Sequence, residues 1–393
     1  MNKDLSLTRP YPFSRLKKLL EGANLPKDKR PISLSIGEPK HPIPEVVKEA
    51  VTNNLHLLGK YPTTGGRMDL KEAISSWIKK RYGATVDPVS QIIPTYGSRE
   101  ALFSIVQATV DRTAHPMVAM PCPFYQIYEG AAFMAGAEPK YIPCHEASHY
   151  APDFDSVLPH EWERIQVLFV CSPSNPTGNV LHLEDWKKLF ALADQYDFLI
   201  ASDECYSEIY FEEGKAPIGA LEAATILGRT DFDKIIVLSS LSKRSNVPGM
   251  RSGFVAGDAK VLKPYLLYRT YQGCALSETY QLASIAAWSD EKHVIENRKL
   301  YKEKFDIAVP LLSKTLGIQM PEASFYLWAK TPIDDEVFTR RLYEEEGITV
   351  LPGAYLGREI NGINPGKGYV RIALVATTEE VREACERISQ FQL

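Results

Sequence analysis

Five short apolar runs, around Met117, Val167, Phe198, Ile235 and Phe254, recur through the middle of the chain with helical segments between them. Runs that are apolar throughout, rather than alternating, belong to strands buried on both faces. Strand–helix–strand repetition of this kind calls for a mostly parallel sheet covered on both sides, an α/β fold. Gly66 to Tyr82 fits the covering layer, because Leu70, Ala73, Ile74, Trp77 and Ile78 share one helical face. The pattern changes after about Ala287. A long polar helix is expected near Lys292 to Leu316, followed by short strands around Phe325–Trp328 and Tyr369–Leu374. The expected organisation is a large domain over residues 46–285 and a smaller α+β domain built from residues 1–45 with 286–393. Neither an internal repeat nor a low-complexity linker is evident.

Sheets of this class bind ligands beyond the carboxyl ends of their strands. The run Ser240-Leu241-Ser242-Lys243-Arg244-Ser245-Asn246-Val247-Pro248-Gly249-Met250-Arg251 directly follows the apolar stretch Lys234–Ser239. A lysine in a dry pocket can lose its proton and attack an aldehyde to form a Schiff base. A serine hydroxyl and Arg251 are suited to hold a phosphate beside it. An aldehyde joined to a phosphate suggests pyridoxal 5′-phosphate (PLP). In isolation a lysine between serines is an ordinary solvated loop, so the reading depends on what accompanies it.

Three further segments do. Cys171–Gly178 follows the strand-like run Gln166–Val170, and its Asn175 amide is placed to donate to a phenolic oxygen. Asp203, at the end of the apolar run Phe198–Ser202, is either a helix cap or a functional acid. As an acid it would pair with a protonated pyridine nitrogen, the chief electronic lever on such a ring. Tyr206, three residues on, could share the phenolic oxygen with Asn175. Gly97-Ser98-Arg99 opens an apolar-patterned helix, and free amides at a helix start bind phosphate.

In this order, the four segments resemble the fold-type I PLP enzymes, specifically the class I/II aminotransferases, over essentially the whole chain. The resemblance implies a set of roles. Lys243 would carry the cofactor and move the proton, with Asp203 and Tyr206 as its catalytic partners. Gly97, Ser98, Arg99, Ser240, Ser242 and Arg251 would surround the phosphate, and Tyr125 would stack on the pyridine. Gly37, Asn175 and Arg371 would meet the substrate carboxylate, for which a planar guanidinium fork is the right partner. Tyr61 would reach the phosphate of a partner subunit, implying a homodimer with composite sites. Kinetics would be ping-pong.

Longer strings resemble one subfamily, the bacterial succinyldiaminopimelate aminotransferases. They include Pro10–Phe13, Gly37–Pro42, Pro123–Gly130, Ser202–Phe211 and Tyr268–Tyr271. That resemblance implies amino transfer between glutamate/2-oxoglutarate and N-succinyl-2-amino-6-oxopimelate, a step of lysine and diaminopimelate biosynthesis. An aminotransferase for aspartate, aromatic or other amino acids, free diaminopimelate precursors among its substrates, and a PLP carbon–sulfur lyase remain as alternatives. The subfamily substrate carries extra carboxylates, so further cations are expected in the site, with Arg67, Arg269 and Arg251 as candidates.

Composition excludes other classes. A net charge of −4 offers no basic footprint for nucleic acid. No apolar stretch approaches the roughly 18 residues of a membrane span. The N-terminus lacks the apolar core of a signal peptide. The six cysteines contain no C-x-x-C pair and read as reduced cytoplasmic thiols rather than disulfides or zinc ligands. His145 and His149 sit in a polar stretch and read as surface residues, so no metal is expected.

Overall fold

The computed structural model describes residues 2–392. Its strands, in chain order, are β1 (Ile32–Ser33), β2 (Ile92–Thr95), β3 (Met117–Cys122), β4 (Glu138–Pro143), β5 (Ile165–Cys171) and β6 (Leu199–Asp203). They continue with β7 (Ile235–Ser240), β8 (Gly253–Gly257), β9 (Tyr326–Lys330), β10 (Ile348–Thr349), β11 (Leu351–Pro352) and β12 (Tyr369–Ala373). Seven of them form the main sheet in the order β2-β8-β7-β6-β5-β3-β4. The pairs β7–β6, β6–β5, β5–β3 and β3–β4 are parallel, as the strand–helix repetition requires. This is the α/β architecture of fold-type I.

Strand β8 departs from that rule and runs antiparallel to both β2 and β7. The chain between β7 and β8 holds only the single helical turn Leu241–Arg244 and a tighter turn at Pro248–Met250. It therefore doubles back instead of crossing over the sheet. Its reversal leaves β2 pointing the same way as β7. Gly253 of β8 opposes both Thr95 and Ser240, so those two strand ends stand at one level.

Both faces of the sheet are buried because successive strand residues feed opposite layers. Ile200, Ile235 and Val237 pack with Trp77, Trp186 and Trp288 on one side. Ala201, Ile236 and Leu238 pack with Leu102, Tyr128 and Tyr265 on the other. The helix expected from Gly66 begins at Met68 and runs to Tyr82. Gly66 has φ +73°, outside the helical range, and the Arg67 amide is bonded to Gln281 Oε1 at 2.7 Å.

The sheet β11-β12-β9 is separate and antiparallel. It shares a third apolar cluster with Phe305 and Leu312 of the long helix Lys292–Leu316. Ile32 and Leu34 enter the same cluster, and β1 pairs in parallel with β10. The N-terminal segment thus packs with the C-terminal part of the chain. The helix Glu278–Ser289 runs unbroken through the expected boundary at 285/286. Among the described residues no helix is long and apolar enough to cross a membrane.

Candidate active site

Parallel neighbours end together. The register sets Cys171 of β5 against Asp203 of β6, and Asp203 against Leu238 of β7. Asn175, Asp203 and Lys243 therefore emerge along one edge of the sheet. There they line a cavity of about 500 Å³ together with Ser98, Arg251 and Arg371. Gly37, Arg99, Tyr125, Tyr206, Ser240 and Ser242 also line it. Gly97 lies immediately behind, with φ +76°, where an added Cβ would stand 2.3 Å from Nη2 of Arg251. Only a glycine lets that guanidinium lie against the start of the helix Ser98–Thr109. Tyr61 stands outside the cavity and is fully exposed.

Lys243 sits in the turn Leu241–Arg244, and its Nζ donates to the Gly37 carbonyl at 2.5 Å. Burial, with Arg371 and Arg251 nearby, pushes its amine down to about 8 from the usual 10.5. A cavity lysine near neutrality is a usable nucleophile and base.

Asp203 is buried, and its carboxylate accepts from Tyr128 Oη at 2.7 Å and the Cys205 amide at 3.2 Å. Neither partner is charged, and burial raises the carboxyl above its usual range. Arg371 is the mirror case. It is buried, yet Nη1 donates to Asn175 Oδ1 at 2.8 Å and Nη2 to the Ser35 carbonyl at 2.8 Å, both neutral. Its Nε is buried without a partner. Burying lone charges is costly. Asp203 and Arg371 are thus a buried carboxylate and a buried guanidinium without charged partners of their own, and a ligand satisfies both by offering a cation to Asp203 and a carboxylate to Arg371.

Close packing completes the walls. The Tyr206 and Tyr326 hydroxyls meet at 3.0 Å, and the Arg371 guanidinium lies 4.4 Å from the Tyr326 ring centre. A Cβ on Gly37 would fall 2.0 Å from Tyr326 Oη, which fixes glycine there. Asn175 spends its oxygen on Arg371, so its amide nitrogen is left to donate. Cys205 Sγ lies 3.0 Å from Ser98 Oγ.

The resemblance did not assign Tyr128, Tyr326 or Cys205 a role. Tyr128 had an available signal, since it shares with Tyr125 one face of the segment entering the helix Ile127–Met134. Two of the cations considered for extra carboxylates do not line this cavity. Arg269 is wholly buried and bonded through Nη1 to Glu100 at 2.6 and 2.7 Å, so its charge is already neutralised. Arg67 is taken up by Asp69 and Glu278 and lies outside the cavity. Arg251 remains, joined by Arg99, whose Nε donates to Tyr125 Oη at 2.5 Å and whose Nη2 donates to Tyr11 Oη at 3.2 Å.

Residues 29–388 match the family model for aminotransferase class I and II. This chain is a class I/II aminotransferase. Members of the family are PLP-dependent, and so is this chain. The residues present fit PLP on structural grounds: a desolvated amine for its aldehyde, an uncompensated buried carboxylate for its ring nitrogen, and Arg251 with the start of the helix Ser98–Thr109 for its phosphate.

Among its relatives, the aminotransferase is 31% identical over 402 residues to an LL-diaminopimelate aminotransferase of Maridesulfovibrio salexigens, with 98% of each chain covered. A solved aminotransferase from Neisseria meningitidis is 50% identical, covering 99% of both chains with a TM-score of 0.96. A "probable N-succinyldiaminopimelate aminotransferase" from Thermus thermophilus is 27% identical, covering 96% of this chain and 99% of that one, with a TM-score of 0.84.

Proposed function

We propose that this aminotransferase moves an amino group between glutamate/2-oxoglutarate and N-succinyl-2-amino-6-oxopimelate, giving N-succinyl-LL-2,6-diaminopimelate. The observation that carries the reading is that two guanidinium groups, Arg371 and Arg99, line the cavity that holds Lys243, in addition to Arg251 at the phosphate end. A substrate with more than one carboxylate needs more than one cation. The strings shared with the succinyldiaminopimelate subfamily and the likeness to the Thermus thermophilus protein support it. A second reading, LL-diaminopimelate itself as amino donor, is favoured by the curated relatives of about one-third identity.

The residues act as follows. When bound, PLP supplies an aldehyde for the amino group and a ring that accepts electron density from the substrate Cα. Arg371 grips the α-carboxylate in its fork and so orients the Cα–H bond. Lys243 Nζ is the base for that proton, which it would hold and return on the cofactor side. Asp203, its carboxylate fixed by Tyr128 Oη and the Cys205 amide, would hold the ring nitrogen of the cofactor in its protonated form. Asn175 Nδ2 and Tyr206 Oη would hold its phenolic oxygen, and Tyr125 would cover the ring.

Tyr61 serves a second subunit, in a homodimer. Leu55, Leu58 and Met68 near it, and Leu267 and Tyr271 on the adjoining helix Ala259–Gln272, are exposed apolar side chains suited to a subunit contact. The enzyme works in the cytoplasm, where its cysteines, all free, stay reduced.

The test is glutamate production from 2-oxoglutarate with N-succinyl-LL-diaminopimelate, LL-diaminopimelate and aspartate as parallel donors. Preference for the succinylated donor is expected. Preference for LL-diaminopimelate establishes the second reading, and preference for aspartate overturns both. Cystathionine run as a further substrate tests the lyase alternative: release of homocysteine, pyruvate and ammonia from it, with no glutamate formed from any donor, would mark a carbon–sulfur lyase.

A further inference from the structure

Asn297, on the helix Lys292–Leu316, is buried and uses both ends of its amide. Its Nδ2 donates to the main-chain carbonyls of Lys243 at 3.2 Å and Arg244 at 3.4 Å. Its Oδ1 accepts from Asn246 Nδ2 at 3.0 Å and lies 2.7 Å from His41 Nδ1. The other ring nitrogen of His41, Nε2, lies 2.6 Å from Nζ of Lys304, which is itself buried.

These contacts fix one another. The amine of Lys304 is the donor of that pair, so Nε2 of His41 accepts and the neutral ring carries its proton on Nδ1. Burial and the Lys304 charge hold the imidazole neutral, pushing it down to about 4. A proton on Nδ1 needs an acceptor opposite, which turns the Asn297 oxygen toward His41 and its nitrogen toward the two carbonyls. Reversing the amide would break all four contacts.

His41 also ends a segment that touches the site twice. The Ser35 carbonyl accepts from Arg371, and the Gly37 carbonyl accepts from Lys243 Nζ. One side chain on a distant helix therefore holds the main chain of the lysine turn and, through His41, the strip of chain lying over the lysine amine.

We propose that Asn297 is a positioning residue for Lys243, and that His41 and Lys304 complete a relay which sets the Gly37 segment and the lysine turn from a single amide. The inference rests on Lys243 being the cofactor-bearing amine.

Asn297→Asp in the holoenzyme is the informative change, because the carboxylate keeps the acceptor for His41 and Asn246 but gives up the donor to the carbonyls. The expected result is a fall in kcat of about tenfold or more, the scale of the two lost hydrogen bonds, with KM for glutamate changed less than about twofold. The pH profile for PLP capture by its apoenzyme should shift as the amine is displaced. His41→Gln should instead act mainly on KM, since it loosens the Gly37 segment and leaves the carbonyl contacts. Asn297→Ser, the smaller donor, should recover part of kcat and also serves if Asn297→Asp fails to fold. Wild-type kcat in Asn297→Asp, or a loss of folding stability alone with an unmoved pH profile, overturns the proposal. Lys243→Ala run alongside separates the two layers: turnover retained there would sink the lysine assignment itself.

Discussion

Arg371 and Asn175 meet through Nη1 and Oδ1 at 2.8 Å, and that contact decides which end of the asparagine amide faces the cavity. The same guanidinium spends Nη2 on Ser35 and leaves Nε open. Carboxylate binding therefore has to use a fork already anchored by two neutral partners. Arg371→Lys should be a poor replacement, because a point charge cannot hold Asn175, Ser35 and a carboxylate together. KM for glutamate is expected to rise about 10- to 100-fold, the scale of charge-assisted hydrogen bonds, with kcat less affected. Steady-state kinetics with an unchanged KM would remove Arg371 from carboxylate recognition.

The depressed Lys243 amine predicts a pH dependence with a definite sign. Capture of an aldehyde needs the neutral amine, so the rate of PLP uptake by the apoenzyme should climb toward pH 8 and level off above it. Stability follows the same pKa. Below about 8 both folded and unfolded chains carry the ammonium, and the folded chain bears the full cost of burying it. Between 8 and 10.5 the unfolded chain binds more protons, so apoenzyme stability rises with pH through that window. Apo Lys243→Met should accordingly be more stable than wild-type apoenzyme at pH 7, with the gap closing toward pH 10.5. Denaturant titrations across that range would expose a flat difference, which contradicts the buried-ammonium account.

Lys243, Asn175 and Asp203 were readable from sequence because parallel strands end in register, so polar residues after apolar runs must converge. The fold was readable for the same reason, up to its edges. β2 and β4 carry Pro94 and Pro139 with Pro143, and both are edge strands, where proline is tolerated but the strand pattern is spoiled. The reversal of β8 was invisible, since Gly253–Gly257 reads alike in either direction. Partners distant along the chain were invisible too: Tyr128 meets Asp203 across 75 positions, and Tyr206 meets Tyr326 across 120. Arg269 illustrates the opposite error. Its charge attracted a functional reading, whereas its pairing with Glu100, 169 positions away, shows a structural ion pair.

Arg99 distinguishes the short dicarboxylate glutamate from the longer succinylated donor. It touches the cavity through the hydroxyls of Tyr11 and Tyr125, beside the groups assigned to the cofactor. Arg99→Gln should therefore cost kcat/KM about tenfold or more with N-succinyl-LL-diaminopimelate, while glutamate turnover changes by less than about threefold. Equal losses with both donors would return Arg99 to phosphate binding alone, visible as a higher Kd for PLP.

The ion pair between Arg358 and Glu129 predicts a stability effect independent of the chemistry. Nε and Nη2 of Arg358 each donate to one carboxylate oxygen at 2.6 Å, and Tyr141 Oη donates to Oε1 at 2.5 Å. Both residues are buried, at 4% exposure each. Glu129 lies on the helix Ile127–Met134 beside the main sheet, and Arg358 on the chain following β11, where Leu356 also accepts from the Phe124 amide at 2.9 Å. The pair therefore joins the sheet to the C-terminal part of the molecule. Arg358→Met alone leaves a buried carboxylate and should destabilise by about 3–5 kcal/mol. Glu129→Leu combined with Arg358→Met removes both charges and should recover most of that loss, falling short by roughly the ~1 kcal/mol of the orphaned Tyr141 hydroxyl. Urea unfolding of the two variants against wild type decides it. A double variant no better than the single one would mean that the pair stabilises through its packing rather than through mutual neutralisation.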